Sequence, residues 1–365
     1  MFSRSAFLLS LAASLIAAST FGAALKTENV FLITLDGVRW QEVFSGVDAG
    51  LISRSGGVTD TNHFHRDFWR DSREERRAAL MPFFWSTVAS KGQLLGNQTE
   101  GSVARVTNGK NFTYPGFNEI LTGFADPSIT NNGKIFNRNT TVLEWLHAKP
   151  AFTNRVAVFA NWDVFPFIMN ARRAGIPIWT GYAEGTLPET GAAMSSTRSL
   201  ADGITPLWPD MNFDVFFFHA ALEHVRLHQP RLVWIAFSEP DEWAHEGRYD
   251  LYARALNRID SYVKQLWEAV QAMPEYGGKT TFILTTDHGR GTGLTDWRDH
   301  GEKVAGAENI WMAALGPDTA GLGEHRRSST VYQNQIAATV AAWLGESYNG
   351  VERPAGRFIP DLLPP

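Results

Sequence analysis

Apolar residues fall along this chain in short continuous runs. Each run closes in a polar turn containing Gly or Pro, and a longer stretch with helical spacing follows. The runs are Val30–Leu35, Val156–Ala160, Leu232–Phe237, Thr281–Leu284 and Ile310–Leu315. Uninterrupted apolar runs of this length predict strands covered on both faces. Helical stretches are expected over Glu74–Lys91, from Glu119 onward, over Asp250–Ala272 and over Gln335–Leu344. In the third, Tyr252, Leu256, Ile259, Val263, Leu266 and Val270 keep helical spacing and mark one buried face. Strands alternating with helices predict an α/β fold, a mostly parallel central sheet with helices on both faces.

Two stretches break the alternation. Ser45–Asp71 is rich in Gly, Ser, Asp and Asn, and Trp179–Asn212 in Gly, Pro, Ser and Thr, with an apolar helical run Phe213–Val225 after it. Loops of this length in a compact domain are usually functional. Cap insertions are therefore expected near 45–72 and 179–225, over a single catalytic domain spanning 25–365. The first 24 residues follow a different logic: basic Arg4, an apolar run Ala6–Ala18, then small residues up to Ala23 and Ala24. That order predicts a secretory signal peptide, and the run is shorter than the ~20 residues of a membrane span. The expectation is export to a bacterial periplasm or exterior, with no stable membrane span after cleavage.

Composition narrows the function. The 365 residues carry 33 basic and 38 acidic side chains, so no basic field marks a nucleic-acid-binding module. The absence of cysteine excludes disulfides, thiolate metal sites and cysteine nucleophiles. Ten histidines leave room for a site of imidazoles and carboxylates. Three Asn-x-Thr triplets, at Asn97, Asn111 and Asn139, carry little weight because such triplets arise by chance.

In an open parallel sheet, ligands bind beyond the carboxyl ends of the strands. Asp36-Gly37-Val38-Arg39 follows the first run. Ser238-Glu239-Pro240-Asp241 follows the third, with His245 four residues on. Thr285-Thr286-Asp287-His288-Gly289 ends the fourth, and His300-Gly301 precedes the next. Singly, each has an ordinary explanation: a turn, a helix cap or a hydrogen-bonded pair. Together, three Asp and three His make six oxygen and nitrogen ligands, enough for two divalent ions, and imidazole with carboxylate suits zinc. In Asn111-Phe112-Thr113-Tyr114-Pro115, Pro115 fits a helix's first turn and Gly123 its stop. Thr113 then lies at or beside the N-cap, where free N–H groups favour anions.

The ordered set Asp36-Gly-Val-Arg, Thr113-Tyr-Pro with Leu121-Thr-Gly, Asp241-x-x-x-His245, Asp287-His288-Gly and His300-Gly resembles the alkaline-phosphatase superfamily. It is most similar to its type I phosphodiesterase/nucleotide pyrophosphatase branch and to threonine-type phosphatases. The resemblance runs from about Phe31 to Pro317. It implies an alkaline-phosphatase-like fold and two divalent metal ions, zinc by preference over manganese. Asp36, Thr113, Asp287 and His288 would surround one ion, and Asp241, His245 and His300 the other. Thr113 would be the transiently phosphorylated nucleophile. The Tyr114 backbone N–H and an Asn amide, Asn132 by preference over Asn131, would bind phosphate oxygens, with Asn118, Lys134 and Asn137 as the other candidates. The substrate would be a small phosphate ester, mono- or diester. A sulfatase would need Cys or Ser in place of Thr113. A phosphotransferase or mutase could use the same metals, and a non-catalytic anion-binding protein would need the pocket but no nucleophile.

Overall fold

The structure of the protein, a computed structural model, describes residues 24–180 and 192–364. The expected signal segment falls outside the described residues except for Ala24, as does 181–191 of the second expected insertion. Eight strands form the main sheet: β1 (Asn29–Leu35), β2 (Gln93–Leu95), β3 (Val156–Phe159), β4 (Ile178–Trp179), β5 (Leu232–Phe237), β6 (Thr280–Thr285), β7 (Met312–Leu315) and β8 (Gly323–Glu324). Their spatial order is β8-β2-β7-β6-β1-β5-β3-β4. β1 is parallel to both neighbours, with Thr34 facing Ala236 of β5 and Thr285 of β6. β3 and β4 continue the parallel set, and β7 runs antiparallel between β2 and β6. The sheet is therefore mostly parallel, as the unbroken apolar runs require.

Six helices matter for the site: α1 (Thr113–Thr122), α2 (Val142–His147), α3 (Asp214–His228), α4 (Glu239–His245), α5 (Tyr249–Gln271) and α6 (Ile336–Trp343). Side chains alternate across β1. Phe31, Ile33 and Leu35 enter a layer with Phe217 and Phe218 of α3 and Leu256, Ile259 and Val263 of α5. Val30 and Leu32 enter the opposite layer, with Phe117 and Ile120 of α1, Val142 of α2 and Val340 of α6. Burying one such side chain stabilises the fold by roughly 1.5–3 kcal/mol. Both faces of the strands that carry the site are thus fixed.

Four expectations change. The stretch Glu74–Lys91 breaks after Leu80, because Pro82 has no N–H to continue the ladder. The Asp260 carboxylate then caps the second piece, accepting the N–H groups of Phe83 and Phe84 at 2.8 Å each. The helix expected from Glu119 onward begins earlier and stops at Thr122, where Gly123 turns left-handed at φ 79°. The run Ile310–Leu315 splits at Trp311. Asn309–Ile310 joins a small second sheet against Ala104–Arg105, and Met312–Leu315 stays in the main one. The Trp311 indole N–H donates to the Val38 carbonyl at 3.0 Å, which pins that crossing under the turn after β1. Finally, the Phe213–Val225 portion of the second expected insertion is α3, a crossover helix packed in the first layer rather than cap material.

The first expected insertion contains a short helix, Thr61–Phe68, whose Phe64 and Phe68 join the same layer. Asn97, Asn111 and Asn139 are buried, which closes all three triplets to glycosylation. No helix among the described residues is long and apolar enough to cross a membrane.

Candidate metal centre

The carboxyl ends of β1, β5 and β6 lie side by side, and the residues just past them converge. The β1 ladder extends one residue further, since the Asp36 N–H donates to the Phe237 carbonyl at 2.8 Å. The Ser238 N–H donates to Asp214 at 3.1 Å, which seats the start of α4 on the first turn of α3. α4 presents Asp241 and His245, four apart, on one face. Past β6 come Asp287 and His288, both fully buried. A loop brings in His300, which stacks on His288 with ring centroids 3.9 Å apart.

The polar atoms fall into two abutting groups. His288 Nε2 lies 3.4 Å from Asp36 Oδ1, 3.4 Å from Asp287 Oδ2 and 3.5 Å from Thr113 Oγ1. His245 Nε2 lies 3.0 Å from Asp241 Oδ2 and 3.1 Å from His300 Nε2. His288 Nε2 also stands 3.8 Å from Asp241 Oδ1, which joins the groups. All seven residues expected to surround metal are therefore gathered in one place. Ligand atoms of Asp36, Asp287 and His288 lie within 4.8 Å of one another, as do those of Asp241, His288 and His300.

The donor set fits divalent cations. His288 Nδ1 donates to the Gly289 carbonyl at 3.0 Å and His300 Nδ1 to the Asn111 carbonyl at 2.8 Å, which leaves each Nε2 facing the centre. The Gly37 N–H at 3.1 Å occupies Asp287 Oδ1. Asp287 Oδ2 and Asp36 Oδ1 are buried without a hydrogen-bond partner. Such orphaned carboxylate oxygens are costly unless a cation compensates them. Burial, then Asp36, holds the Asp287 carboxyl well above its ordinary pKa. Burial works against a charged His288, but Asp287 and Asp36 outweigh it and raise that imidazole to about 9. Burial, then His288, holds His300 well below its ordinary value. The shifts of Asp287 and His288 mark carboxylates that lack a compensating cation, while His300 is held neutral, the state a metal needs.

Thr113 is the first residue of α1 rather than its cap; Phe112 holds the cap position. Asn111, just before, adopts a left-handed φ of 54°, which asparagine tolerates better than most residues. That twist turns its carbonyl to His300 while the chain enters the helix. The two expected phosphate donors are paired with each other: the Tyr114 N–H donates to Asn132 Oδ1 at 2.9 Å. The Tyr114 N–H is thus spent on holding Asn132. The Tyr114 hydroxyl pins the neighbouring loop, donating to the Ile135 carbonyl at 2.7 Å. The remaining phosphate candidates lie in different roles. Asn118 is buried and accepts from Asn137 and Asn139 at 3.2 and 3.0 Å, Lys134 pairs with Asp163 at 2.6 Å, and Asn131 caps its own turn at Gly133.

Three further residues shape the site: Arg290 and Glu242, which the motifs did not single out, and Gly37, whose role they did not give. Arg290 is fully buried and bound to Asp241. Gly37 leaves no room for a side chain. Glu242, between Asp241 and His245 on α4, has its carboxyl raised to about 7 by burial, with Asp36 adding and His245 opposing. Arg290 stands two residues past His288, and that adjacency was its signal in the sequence.

Among solved structures, alkaline phosphatase PafA superposes with a TM-score of 0.60 at 10% identity, covering 94% of this chain and all of that one. The fold is that of the alkaline-phosphatase superfamily. A 2-O GAG sulfatase shares the alkaline-phosphatase-like fold, with a TM-score of 0.54, 12% identity and coverage of 92% and 74%. The metalloenzyme superfamily model matches residues 194–325, which contain Asp241, His245, Asp287, His288 and His300. A 2,3-bisphosphoglycerate-independent phosphoglycerate mutase of Gracilaria tenuistipitata var. liui is 30% identical over 77 residues, 21% of this chain. The matched stretch spans 14% of that mutase's length.

Proposed function

We propose that this chain is an exported hydrolase of phosphate esters that works through a phosphothreonine at Thr113. The observation that carries the reading is the position of Thr113 Oγ1, 3.5 Å from His288 Nε2 where the two ligand groups meet and at the N-terminus of α1. Bound divalent ions, zinc or manganese, held by Asp36, Asp287, His288 and Thr113 on one side and by Asp241, His245 and His300 on the other, would supply Lewis acidity and lower the pKa of a hydroxyl or water.

The residues of the chain do the rest. Thr113 Oγ1 gives up its proton and forms a bond to phosphorus as the ester P–O bond breaks, and the leaving oxygen takes up a proton. Water then cleaves the threonine ester, which restores the hydroxyl and releases phosphate from a monoester substrate or a phosphate monoester from a diester. Asn132, its carbonyl held by the Tyr114 N–H, turns its amide N–H2 to the non-bridging oxygens, where charge grows in the transition state. The buried N-terminus of α1 favours the same anion.

Threonine at this position opposes the sulfatase reading, because formylglycine arises from Cys or Ser. Transfer of the phosphoryl group to an acceptor other than water is the second reading, favoured by the short likeness to a mutase.

A panel of p-nitrophenyl phosphate, bis-p-nitrophenyl phosphate and p-nitrophenyl sulfate, run with zinc or manganese, tests the assignment. Phosphate-ester turnover is expected, and the faster of the first two substrates fixes the ester class. Dominant sulfate turnover would overturn the reading. Thr113→Ala should lower the rate by more than about 10³-fold while the protein still binds metal; an unchanged rate removes Thr113 as nucleophile.

A further inference from the structure

Arg290 belongs to no motif, yet its guanidinium reaches the segments that carry Asp36, Asp241 and His300. Its Nε donates to the carbonyl of Gly37, the residue after Asp36, at 3.1 Å. Its Nη2 donates to the backbone carbonyl of Asp241 at 3.1 Å and to Oδ1 of the same residue's carboxylate. Its Nη1 donates to the carbonyl of Arg298, two residues before His300. Arg290 itself follows His288 by two residues. The end of β1, the first turn of α4 and the loop leading to His300 are thus tied to one planar group on the fourth segment. The next residue is held as well, since Arg39 Nη1 donates to the Gly291 carbonyl at 3.1 Å.

We propose that Arg290 is a positioning residue that fixes the Asp241–His245–His300 half of the metal centre. This inference rests on the two-metal reading above. By occupying Asp241 Oδ1, Arg290 stops the carboxylate from rotating and leaves Oδ2 as its free ligand atom, 3.0 Å from His245 Nε2. By holding the Arg298 carbonyl, it sets the start of the loop that brings His300 to the same place. The other half depends on it less. Asp36 and Asp287 extend from paired strands, and Asp287 takes its hydrogen bond from the Gly37 N–H.

The shape of the guanidinium matters as much as its charge. Its donors leave in three directions in one plane, a fork that a lysine ammonium cannot reproduce. Gly37 is cut to admit it: a Cβ there would stand 2.8 Å from Arg290 Nε and 2.4 Å from Asp241 Oδ1. Its bonds to Asp241 and to the Arg298 carbonyl make it act on the site through Asp241 and the His300 loop.

The test is metal binding by the full chain, stripped with chelator and titrated with Zn²⁺ by calorimetry, with Co²⁺ absorption as a second signal. Wild type should bind two ions. In Arg290→Lys and Arg290→Met, one of the two should weaken by about 10–100-fold, with a changed Co²⁺ spectrum, while the other stays within a few-fold. Circular dichroism of the stripped variants checks folding; should Arg290→Met fail to fold, Arg290→Lys, which keeps the charge and loses the fork, carries the comparison. Two ions bound by the variants at wild-type affinity overturn the inference alone. So does equal weakening of both ions, or tighter binding by Arg290→Met. A wild type that binds no divalent ion overturns both this inference and the two-metal reading. Arg290-dependent metal binding without any phosphate-ester turnover overturns the hydrolase reading and leaves this one standing.

Discussion

Replacing Gly37 with alanine asks whether the metal centre is built around a bare Cα. Two costs can be worked out separately. Gly37 sits at φ 59°, and a left-handed conformation costs an L-residue such as alanine about 1–2 kcal/mol. The new Cβ would also stand 2.4 Å from Asp241 Oδ1 and 2.8 and 2.9 Å from Arg290 Nε and Nη2. Those groups are buried and mutually bonded, so they must shift, and overpacking of this kind costs about 1–3 kcal/mol. Gly37→Ala should therefore lose roughly 2–5 kcal/mol. Gly109 supplies the control: it has φ 64° with nothing within 4 Å of an added Cβ, so Gly109→Ala should lose only the backbone part, about 1–2 kcal/mol. Urea unfolding of the metal-free proteins gives both losses, and a zinc titration of each shows whether the centre moved. The excess for Gly37→Ala should come with weakened metal binding, and Gly109→Ala should bind metal as wild type does. Equal losses in the two variants, with wild-type zinc affinity in both, would refute the seating of Arg290 and Asp241 against Gly37.

Two further outcomes follow from the same structure. Asn132→Ala should lower kcat by about 10²–10³-fold with metal content unchanged, and steady-state kinetics beside metal analysis would check it; an effect confined to KM would mean that Asn132 contributes nothing specific to the transition state. Burial, then His228, lowers His224 to about 4, whereas the unfolded chain has its ordinary value near 6.5. The folded state thus resists protonation: His224 costs nothing above pH 6.5, and stability falls as pH drops from there through 4. The slope is about 1.4 kcal/mol per unit, up to roughly 3 kcal/mol in total. His224→Leu should flatten melting temperature against pH between 7 and 4.5, and parallel curves for the two proteins would remove His224 as a source of acid sensitivity.

The elements readable in the sequence are those whose signal is local. β5 coincides with its apolar run, and α5 differs from the helical periodicity by a residue at each end. Most of the candidate ligands were readable because Asp36, Asp241, Asp287 and His288 stand just past apolar runs, where parallel sheets build sites. What escaped depends on distant partners. β4 has two residues, Ile178 and Trp179, and exists because β3 offers it an edge. Trp311 splits an apolar run because its indole finds Val38, 273 residues away. The helical run around Phe217 gave no sign that it packs on the sheet rather than over the site. Arg290 looked like one more residue in a Gly-rich loop, since its partners at positions 37, 241 and 298 become neighbours only when β1 pairs with β6 and α4 follows β5. The pairing of the Tyr114 N–H with Asn132 was hidden for the same reason at shorter range, because it depends on how the loop after α1 returns.

The order of the central strands also sets when the centre can first exist. β1 supplies Asp36, but its neighbours in the sheet arrive about 200 and 250 residues later, so Gly37 meets Asp287 across 250 positions of chain. Contacts of such high contact order form late. Until β6 has docked, Asp36 is a lone carboxylate at the end of an unpaired strand, with no more hold on a divalent ion than any surface acid. On the two-metal reading, metal capture would be among the last events of maturation, and the ions available in the compartment where folding finishes would decide which metal the protein carries.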